Sequence, residues 1–391
     1  MRTEGDLIRI NEWLTPLSWL YGLGVGIRNR MYELGILKSR SFAIPVISVG
    51  NITVGGSGKT PHVEYLVQLL KAHLNVAVLS RGYKRKSKGF VLANNLSTIN
   101  DIGDEPKQMK TKFPDINVAV DGDRCHGIDK LTNDPETSNV DVILLDDAYQ
   151  HRRVKPGINI LLVDYHRLII YDKLLPAGRL REPESGKSRA DMVIITKCPR
   201  DLKPMEFRVL TKAMNLRPYQ ELYFTTLEYD SLKPVFDEAA PRNQINKADH
   251  VLLLTGIASP QQMEQDISPL CQSVTALSFP DHHAFKPRDI DRINAAFDQL
   301  ENPRIIITTE KDAVRLNEVE GLSDEVRKSL YALPVAIKFM FQQEENFNQK
   351  ILSYVQKNSR NRILAKRTHV NKPDDSNRTG DRPRTISFRD N

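Results

Sequence analysis

The sequence predicts an α/β protein: a mostly parallel sheet wrapped by helices, followed by a second, smaller α/β domain. Three observations carry this. From Phe42 onward, apolar runs of strand length alternate with helical segments, the pattern of a parallel sheet buried on both faces. A glycine-rich turn joins the first of these runs to the first helix. The apolar pattern then lapses between Leu232 and His250, around Pro234, Pro241, Asn243 and Asn246, before a second α/β series begins.

In the first series, strands are read at Ile44 to Val49, Val76 to Leu79, Ile116 to Val120, Val142 to Leu145, Ile158 to Val163, Met192 to Ile195 and Leu222 to Thr226. The helix after the first strand spans Lys59 to Ala72, with Val63, Leu66, Val67, Leu69 and Leu70 on its apolar side. The second series has strands at Val251 to Leu254, Val274 to Leu277, Ile305 to Thr308 and Ala336 to Phe339, with a helix near Arg288 to Leu300. The division is therefore an N-terminal apolar segment (1–40), a core (41–231), a linker (232–249), a smaller domain (250–357) and a tail (358–391). No internal repeat is visible, and the tail holds too little apolar surface to offset the entropy of ordering, so disorder is expected there.

A chain of 391 residues, 40% hydrophobic, buries a sizeable core. Its charge of +7 points toward nucleic acid only until the charge is located: residues 357–391 hold ten Lys/Arg against four Asp, which accounts for nearly all of the excess. The rest of the chain shows no basic stripe with interleaved aromatics, so no nucleic-acid partner is expected. Cys125, Cys198 and Cys271 are scattered, without metal-ligand spacing, as in a reducing cytoplasmic protein. No cleavable signal peptide is apparent.

From Leu14 to Ile27 there is no charge, and Trp13, Trp19 and Tyr21 lie within or beside the stretch. Crossing a bilayer takes about 20 apolar residues. A shorter aromatic-rich helix followed by Arg28, Arg30, Lys38 and Arg40 suits a membrane interface; the same helix packed on the protein's own core is the other reading. Gly22, Gly24 and Gly26 weigh against a helix there.

The strongest local signal is VISVGNITVGGSGKTP, Val46 to Pro61. A β-run, a glycine-rich turn, and Gly58, Lys59 and Thr60 opening a helix form the context of a phosphate-binding loop. Backbone N–H groups from Thr53, Val54, Gly55, Gly56, Ser57 and Gly58 would cradle phosphates, Lys59 would reach the β and γ oxygens, and Thr60 would ligate Mg²⁺. Thr53 stands where the usual motif has its first glycine. The run VILLDD, Val142 to Asp147, adds an apolar strand ending in two carboxylates, with Asp146 and Asp147 placed for a Mg²⁺ ion. Together these mark a P-loop NTPase-like fold, although a strand ending in Asp is by itself often only a turn or helix cap.

Two P-loop classes fail at named positions. Guanine selection needs an aspartate two residues after the lysine of VIITKCP, where Pro199 stands; partitioning ATPases need a lysine where Val54 precedes the paired glycines. With GNITVGGSGKTP, the segments SRGY (Ser80 to Tyr83), GDEP (Gly103 to Pro106), DDAYQHR (Asp146 to Arg152), GRLREP (Gly178 to Pro183), FPDHH (Phe279 to His283) and TTEKDAVR (Thr308 to Arg315) occur in order. In that order the chain resembles the tetraacyldisaccharide 4′-kinase (lipid A 4′-kinase) family, from the N-terminal helix to about Phe341.

The resemblance implies an ATP- and Mg²⁺-dependent kinase. Its acceptor would be the 4′-hydroxyl of an acylated disaccharide 1-phosphate, reached as a peripheral enzyme on the cytoplasmic face of the bacterial inner membrane. It implies Asp104 as general base with His282 as partner, His283 being the adjacent competitor, and Lys59 as the phosphate-stabilising cation. It also implies Glu182 as a Mg²⁺ contact, Arg181 as a phosphate contact, and Tyr83, Gln150, His151 and Arg152 as acceptor-site groups. Because Asp104 and His282 fall in different domains, their pairing would require closure over substrate. The competing readings are a membrane-recruited nucleotide switch and a small-molecule kinase whose apolar helix packs inward.

Overall fold

The structure, a computed structural model, describes residues 10–257 and 260–370. An apolar helix, α1 (Thr15–Glu33), precedes the first sheet. There follow β1 (Val46–Gly50), α2 (Lys59–Lys71), β2 (Val76–Ser80), β3 (Val91–Leu92), α3 (Ile99–Ile102), α4 (Asp104–Lys112), β4 (Asn117–Val120), α5 (Arg124–Asn133), β5 (Val142–Asp146), β6 (Ile158–Asp164), β7 (Met192–Thr196), α6 (Pro204–Met214) and β8 (Glu221–Tyr229). The second unit holds β9 (Lys233–Pro234), β10 (His250–Thr255), α7 (Pro260–Ile267), β11 (Ser273–Ser278), α8 (Pro287–Asp298), β12 (Arg304–Thr309), α9 (Glu310–Leu316), α10 (Asp324–Ser329) and β13 (Leu330–Leu333). β14 (Val335–Phe339) and α11 (Glu344–Val370) close the described chain.

The larger sheet has the order β14-β8-β7-β6-β1-β5-β2-β4-β3. It is parallel except at its two edges, β3 and β14. β1, β2, β5 and β7 are buried along their whole length, as central strands covered on both faces must be. Ile47 and Val49 of β1 pack with Val63, Leu66, Val67 and Leu70 of α2. The phosphate loop thus leaves the C-terminal end of a central strand, beside β5 and its terminal carboxylates, where ligands of open α/β sheets bind.

The second sheet has the order β11-β10-β12-β13-β9. Two boundaries differ from the sequence reading. The linker is part of this sheet: β9 pairs antiparallel with β13, and Leu232 and Phe236 are buried beside it. Residues 335–357 return to the first sheet. β14 pairs antiparallel with β8, and Phe347, Ile351 and Val355, one stripe of α11, enter the α2 core. The tail expected from residue 358 begins inside α11, which runs on to Val370; residues 371–391 lie outside the described residues.

Helix α1 is continuous through its three glycines, and its amphipathicity is inverted. Its one buried residue is Ser18, whose hydroxyl donates to Leu174 O at 3.0 Å and accepts from Ala177 N at 2.9 Å. A Cβ on Gly22 would stand 2.7 Å from Leu174 Cδ1, so the small residue permits this close approach. Tyr21 donates to Arg181 O at 2.8 Å, Arg28 to Gln150 O at 3.0 Å and Asn29 to Glu182 at 3.2 Å. Trp13, Leu17, Trp19, Leu20, Leu23 and Ile27 face outward. No described helix is long and apolar enough to cross a membrane.

Candidate active site

The phosphate loop is held by its own side chains and by residues from neighbouring strands and loops. Gly58 adopts φ +77°, the left-handed region, which lets the loop turn directly into α2 with Lys59 as its first residue. Asn51 Nδ2 donates to Ser57 Oγ at 2.8 Å and to Thr53 Oγ1 at 3.3 Å; Gln150 Nε2 donates to Asn51 O at 2.6 Å. Thr196 donates to Ser57 O at 3.0 Å, and Lys197 hydrogen-bonds Gly56 O while pairing with Asp164 at 2.7 Å. His62, driven down to about 4 by burial, is a neutral ring bridging Gly58 O at 2.7 Å and Thr225 Oγ1 at 3.0 Å.

β5 delivers the two carboxylates to different environments. Asp146 is buried; Oδ2 accepts from Ser80 at 3.3 Å, and Oδ1 has no hydrogen-bond partner among the described residues. Burial raises its pKa, and the negative charges of Glu105 and Asp147 add to this. Asp147, at φ +47°, turns to Lys59 Nζ at 3.6 Å and Arg181 Nη1 at 3.3 Å. Burial works to raise the Asp147 pKa too, but Lys59 and Arg181 outweigh it and hold the carboxyl below its ordinary range. An orphaned buried oxygen among crowded carboxylates is the donor set a hard divalent cation satisfies, and Thr60 follows Lys59, which pairs with Asp147, at the start of α2.

The second cluster joins the two domains. Asp104 opens α4 and is buried; His282, at φ +58°, lies before α8. His282 Nδ1 is 2.7 Å from Asp104 Oδ2, so the pair is already formed and needs no further closure. Arg315 of α9 is hydrogen-bonded to the same Asp104 oxygen, and Lys311 Nζ is 3.1 Å from His282 Nε2. Burial acts to raise the Asp104 pKa, but the His282 hydrogen bond, then Lys311 and Arg315, hold it well below the carboxylate range. His283 has a different environment: Nε2 is 2.8 Å from Asp289 in the first turn of α8, and its ring stacks on Phe279.

The remaining residues named from the sequence divide. Tyr83 is exposed and packs edge-on to His282, ring centroids 5.1 Å apart. The described contacts of Gln150, His151 and Arg152 lie within the scaffold. Gln150 holds Asn51, Arg152 donates to Asn29 O at 3.1 Å and lies over the Tyr32 ring, and His151, pushed down to about 4 by burial and then Arg124, sits 3.8 Å from Asp123. Glu182 is buried, its Oε2 held by Arg189 at 2.8 Å and Asn29 at 3.2 Å, while its Oε1, like Asp146 Oδ1, has no hydrogen-bond partner among the described residues. Sequence reasoning missed Arg124, a buried cation donating to Asp121 O at 2.8 Å and Asp146 O at 3.3 Å; nothing local marks it. Lys311 and Arg315 lie in the motif TTEKDAVR, which was visible without a role.

A phosphate loop, a metal-ready acid pair and an Asp–His pair supplied across two domains narrow the comparison with known proteins, and four findings agree. The family model for tetraacyldisaccharide-1-P 4′-kinase matches residues 10–356. The tetraacyldisaccharide 4′-kinase of Phocaeicola vulgatus is 58% identical over 361 residues, 92% of this chain and 99% of the relative. That of Bacteroides thetaiotaomicron is 49% identical over 378 residues, 94% and 99% respectively. A crystal structure of LpxK from Aquifex aeolicus in complex with ATP superposes with a TM-score of 0.67 at 29% identity, covering 88% of this chain and 99% of that one. With the match running over nearly the whole chain and through both halves of the site, the protein belongs to the tetraacyldisaccharide-1-P 4′-kinase family.

Proposed function

We propose that this chain transfers the γ-phosphate of ATP to the 4′-hydroxyl of an acylated glucosamine disaccharide 1-phosphate, a step of lipid A biosynthesis, from the cytoplasmic face of a bacterial inner membrane. The observation that carries the reading is the Lys59 and Asp147 cluster of one domain together with a cross-domain Asp104–His282 pair, the charge of Glu105, next to Asp104, acting on Asp146. A nucleotide switch would leave that pair without a task.

Phosphoryl transfer asks the protein chiefly for positioning and charge. The backbone of residues 53–60 and Lys59 hold the β and γ phosphates, and Arg181, beside Asp147, meets charge developing on the transferred group. Thr60 and Asp146, with Asp147, would hold Mg²⁺, which when bound neutralises phosphate charge and satisfies the orphaned Asp146 oxygen. Asp104 and His282 act as one unit that takes the proton of the sugar hydroxyl. Tyr83 offers its exposed ring beside them as a surface for the sugar.

The outward-facing side chains of α1 supply the membrane contact. A helix docked through Ser18, Gly22 and Asn29 while exposing Trp19 and four aliphatic side chains, with exposed Trp13 just before it, is built to lie in an interface. The test is transfer of labelled phosphate from ATP to the acylated disaccharide 1-phosphate in mixed micelles. Lys59→Ala should lower kcat at least about 100-fold. Absence of labelled glycolipid with the unaltered protein would refute the assignment.

A further inference from the structure

The geometry points to a second metal site, separate from the Asp146 and Asp147 acids: Asp123, Cys125 and His151 form a site for one Zn²⁺-class ion, with Asp123 Oδ1, Cys125 Sγ and His151 Nε2 as its ligands. The site stands apart from the kinase reading and does not depend on it.

Local structure brings the three side chains together. Asp123 is the N-cap of α5 and Cys125 lies in its first turn; Asp123 Oδ1 accepts from Cys125 N at 3.0 Å, which fixes the carboxylate over the helix start. His151 arrives from the turn after β5, and its Nε2 lies 3.8 Å from the same Oδ1. All three ligand atoms lie within 4.8 Å of one another. A tetrahedral zinc ion, with bonds of about 2.0–2.3 Å, holds its ligands roughly 3.3–3.8 Å apart. The Asp123 and His151 atoms already match, and closing the site takes a shift of at most about 1 Å.

Each ligand has an electron pair to give. His151 Nε2 is buried and has no hydrogen-bond partner among the described residues. Burial, then the charge of Arg124, pushes the ring down to about 4, so His151 is a neutral imidazole, which always keeps one bare nitrogen. Cys125 is buried, and its Sγ makes a long contact of 3.5 Å with Arg153 O. Burial and then the Asp123 charge raise the thiol pKa, so the metal-free thiol is protonated and the ion displaces that proton as it binds. Asp123 turns its other oxygen, Oδ2, to Arg153 at 2.7 Å, which orients the carboxylate and leaves Oδ1 a second lone pair.

The nearby arginines are engaged elsewhere. Arg124 donates to Asp121 O at 2.8 Å and Asp146 O at 3.3 Å, and Arg153 is held by Oδ2. A divalent ion with one thiolate and one carboxylate is a neutral unit, which limits its repulsion from them. Sulfur, imidazole nitrogen and a single carboxylate oxygen suit Zn²⁺, whereas Mg²⁺ and Ca²⁺ demand oxygen ligands. Three protein ligands leave a fourth position for water. The neighbours of these ligands in the chain support the nucleotide site: Arg124 reaches Asp146 O, and Gln150 donates to Asn51 O of the phosphate loop. An ion here fastens α5 to the turn after β5 beside both supports.

The experiment titrates the full chain, stripped with a chelator, with Co²⁺ in excess Mg²⁺, and reads thiolate ligation from the near-ultraviolet charge-transfer band. The Asp146 and Asp147 pair contains no sulfur and cannot give that band. The band should saturate at a single equivalent of Co²⁺ and disappear when Zn²⁺ displaces it. Cys125→Ser should abolish it, His151→Gln should weaken Co²⁺ binding at least about 10-fold, and Cys271→Ser should leave it unchanged. Zn²⁺ should also raise the melting temperature of the unaltered chain and not that of Cys125→Ser. Melting curves of the metal-free proteins show which variants fold, and either ligand variant alone suffices for the test. No band, a band that keeps growing over many equivalents, or one that survives Cys125→Ser would overturn the proposal.

Discussion

The inverted helix α1 makes a quantitative demand. Leu20 and Leu23 are 68% and 62% exposed, and neither takes part in docking α1 to the core. Full burial of a leucine side chain is worth about 1.5–3 kcal/mol. With roughly two thirds of each side chain still open, a membrane interface gains about 1–2 kcal/mol per leucine, about 2–4 kcal/mol for the pair. At about 1.4 kcal/mol per tenfold, the double variant Leu20→Asn/Leu23→Asn should partition some 30- to 1000-fold less onto vesicles. The assay is flotation with phosphatidylglycerol-containing vesicles, with thermal melting in parallel. Melting should barely move, because most of each of these side chains is already exposed in the fold. Equal flotation of the variant and the unaltered chain would refute the interfacial role of α1.

Two further outcomes follow from buried groups. Glu64 of α2 is buried against Gln108 at 2.9 Å and Lys112 at 2.7 Å, and Lys112 reaches Glu310 at 2.9 Å, tying the phosphate-loop helix to α4 and α9. Burial pushes Glu64 from 4.5 up to about 7, against the pull of Lys112. The folded state therefore binds the extra proton, and this group makes stability fall as pH rises from about 4.5 to 7, by an amount of the order of 3 kcal/mol. Glu64→Gln should flatten that part of the curve in urea melts taken at several pH values; an unchanged slope would count against the buried acid. Ser18→Ala removes hydrogen bonds of 3.0 and 2.9 Å that dock α1. At about 0.5–1.5 kcal/mol each, protease cleavage within α1 should accelerate roughly 5- to 150-fold, and unchanged cleavage would mean the helix is held by other contacts.

The sequence alone determined what is local. A glycine-rich turn between a buried strand and a helix, with Lys59 and Thr60 at the helix start, specifies a phosphate site because the chemistry lies within a few consecutive residues. The parallel βα series and the acids ending β5 were legible for the same reason, and Pro199 and Val54 were enough to argue against two other P-loop classes. The tertiary structure alone decided what depends on residues far apart in the chain. It returned β14 and α11 to the first sheet, because the stripe Phe347, Ile351, Val355 completes the α2 core. It turned the polar edge of α1 inward, since Ser18 finds backbone partners more than 150 residues away. It gathered Arg124 behind Asp146 and Lys311 and Arg315 around the Asp104–His282 pair. Hydrogen bonds and charges act through space at 3 Å while sequence patterns report neighbours along the chain, so the loop that grips phosphate was readable and the cations beside the Asp104–His282 pair were not.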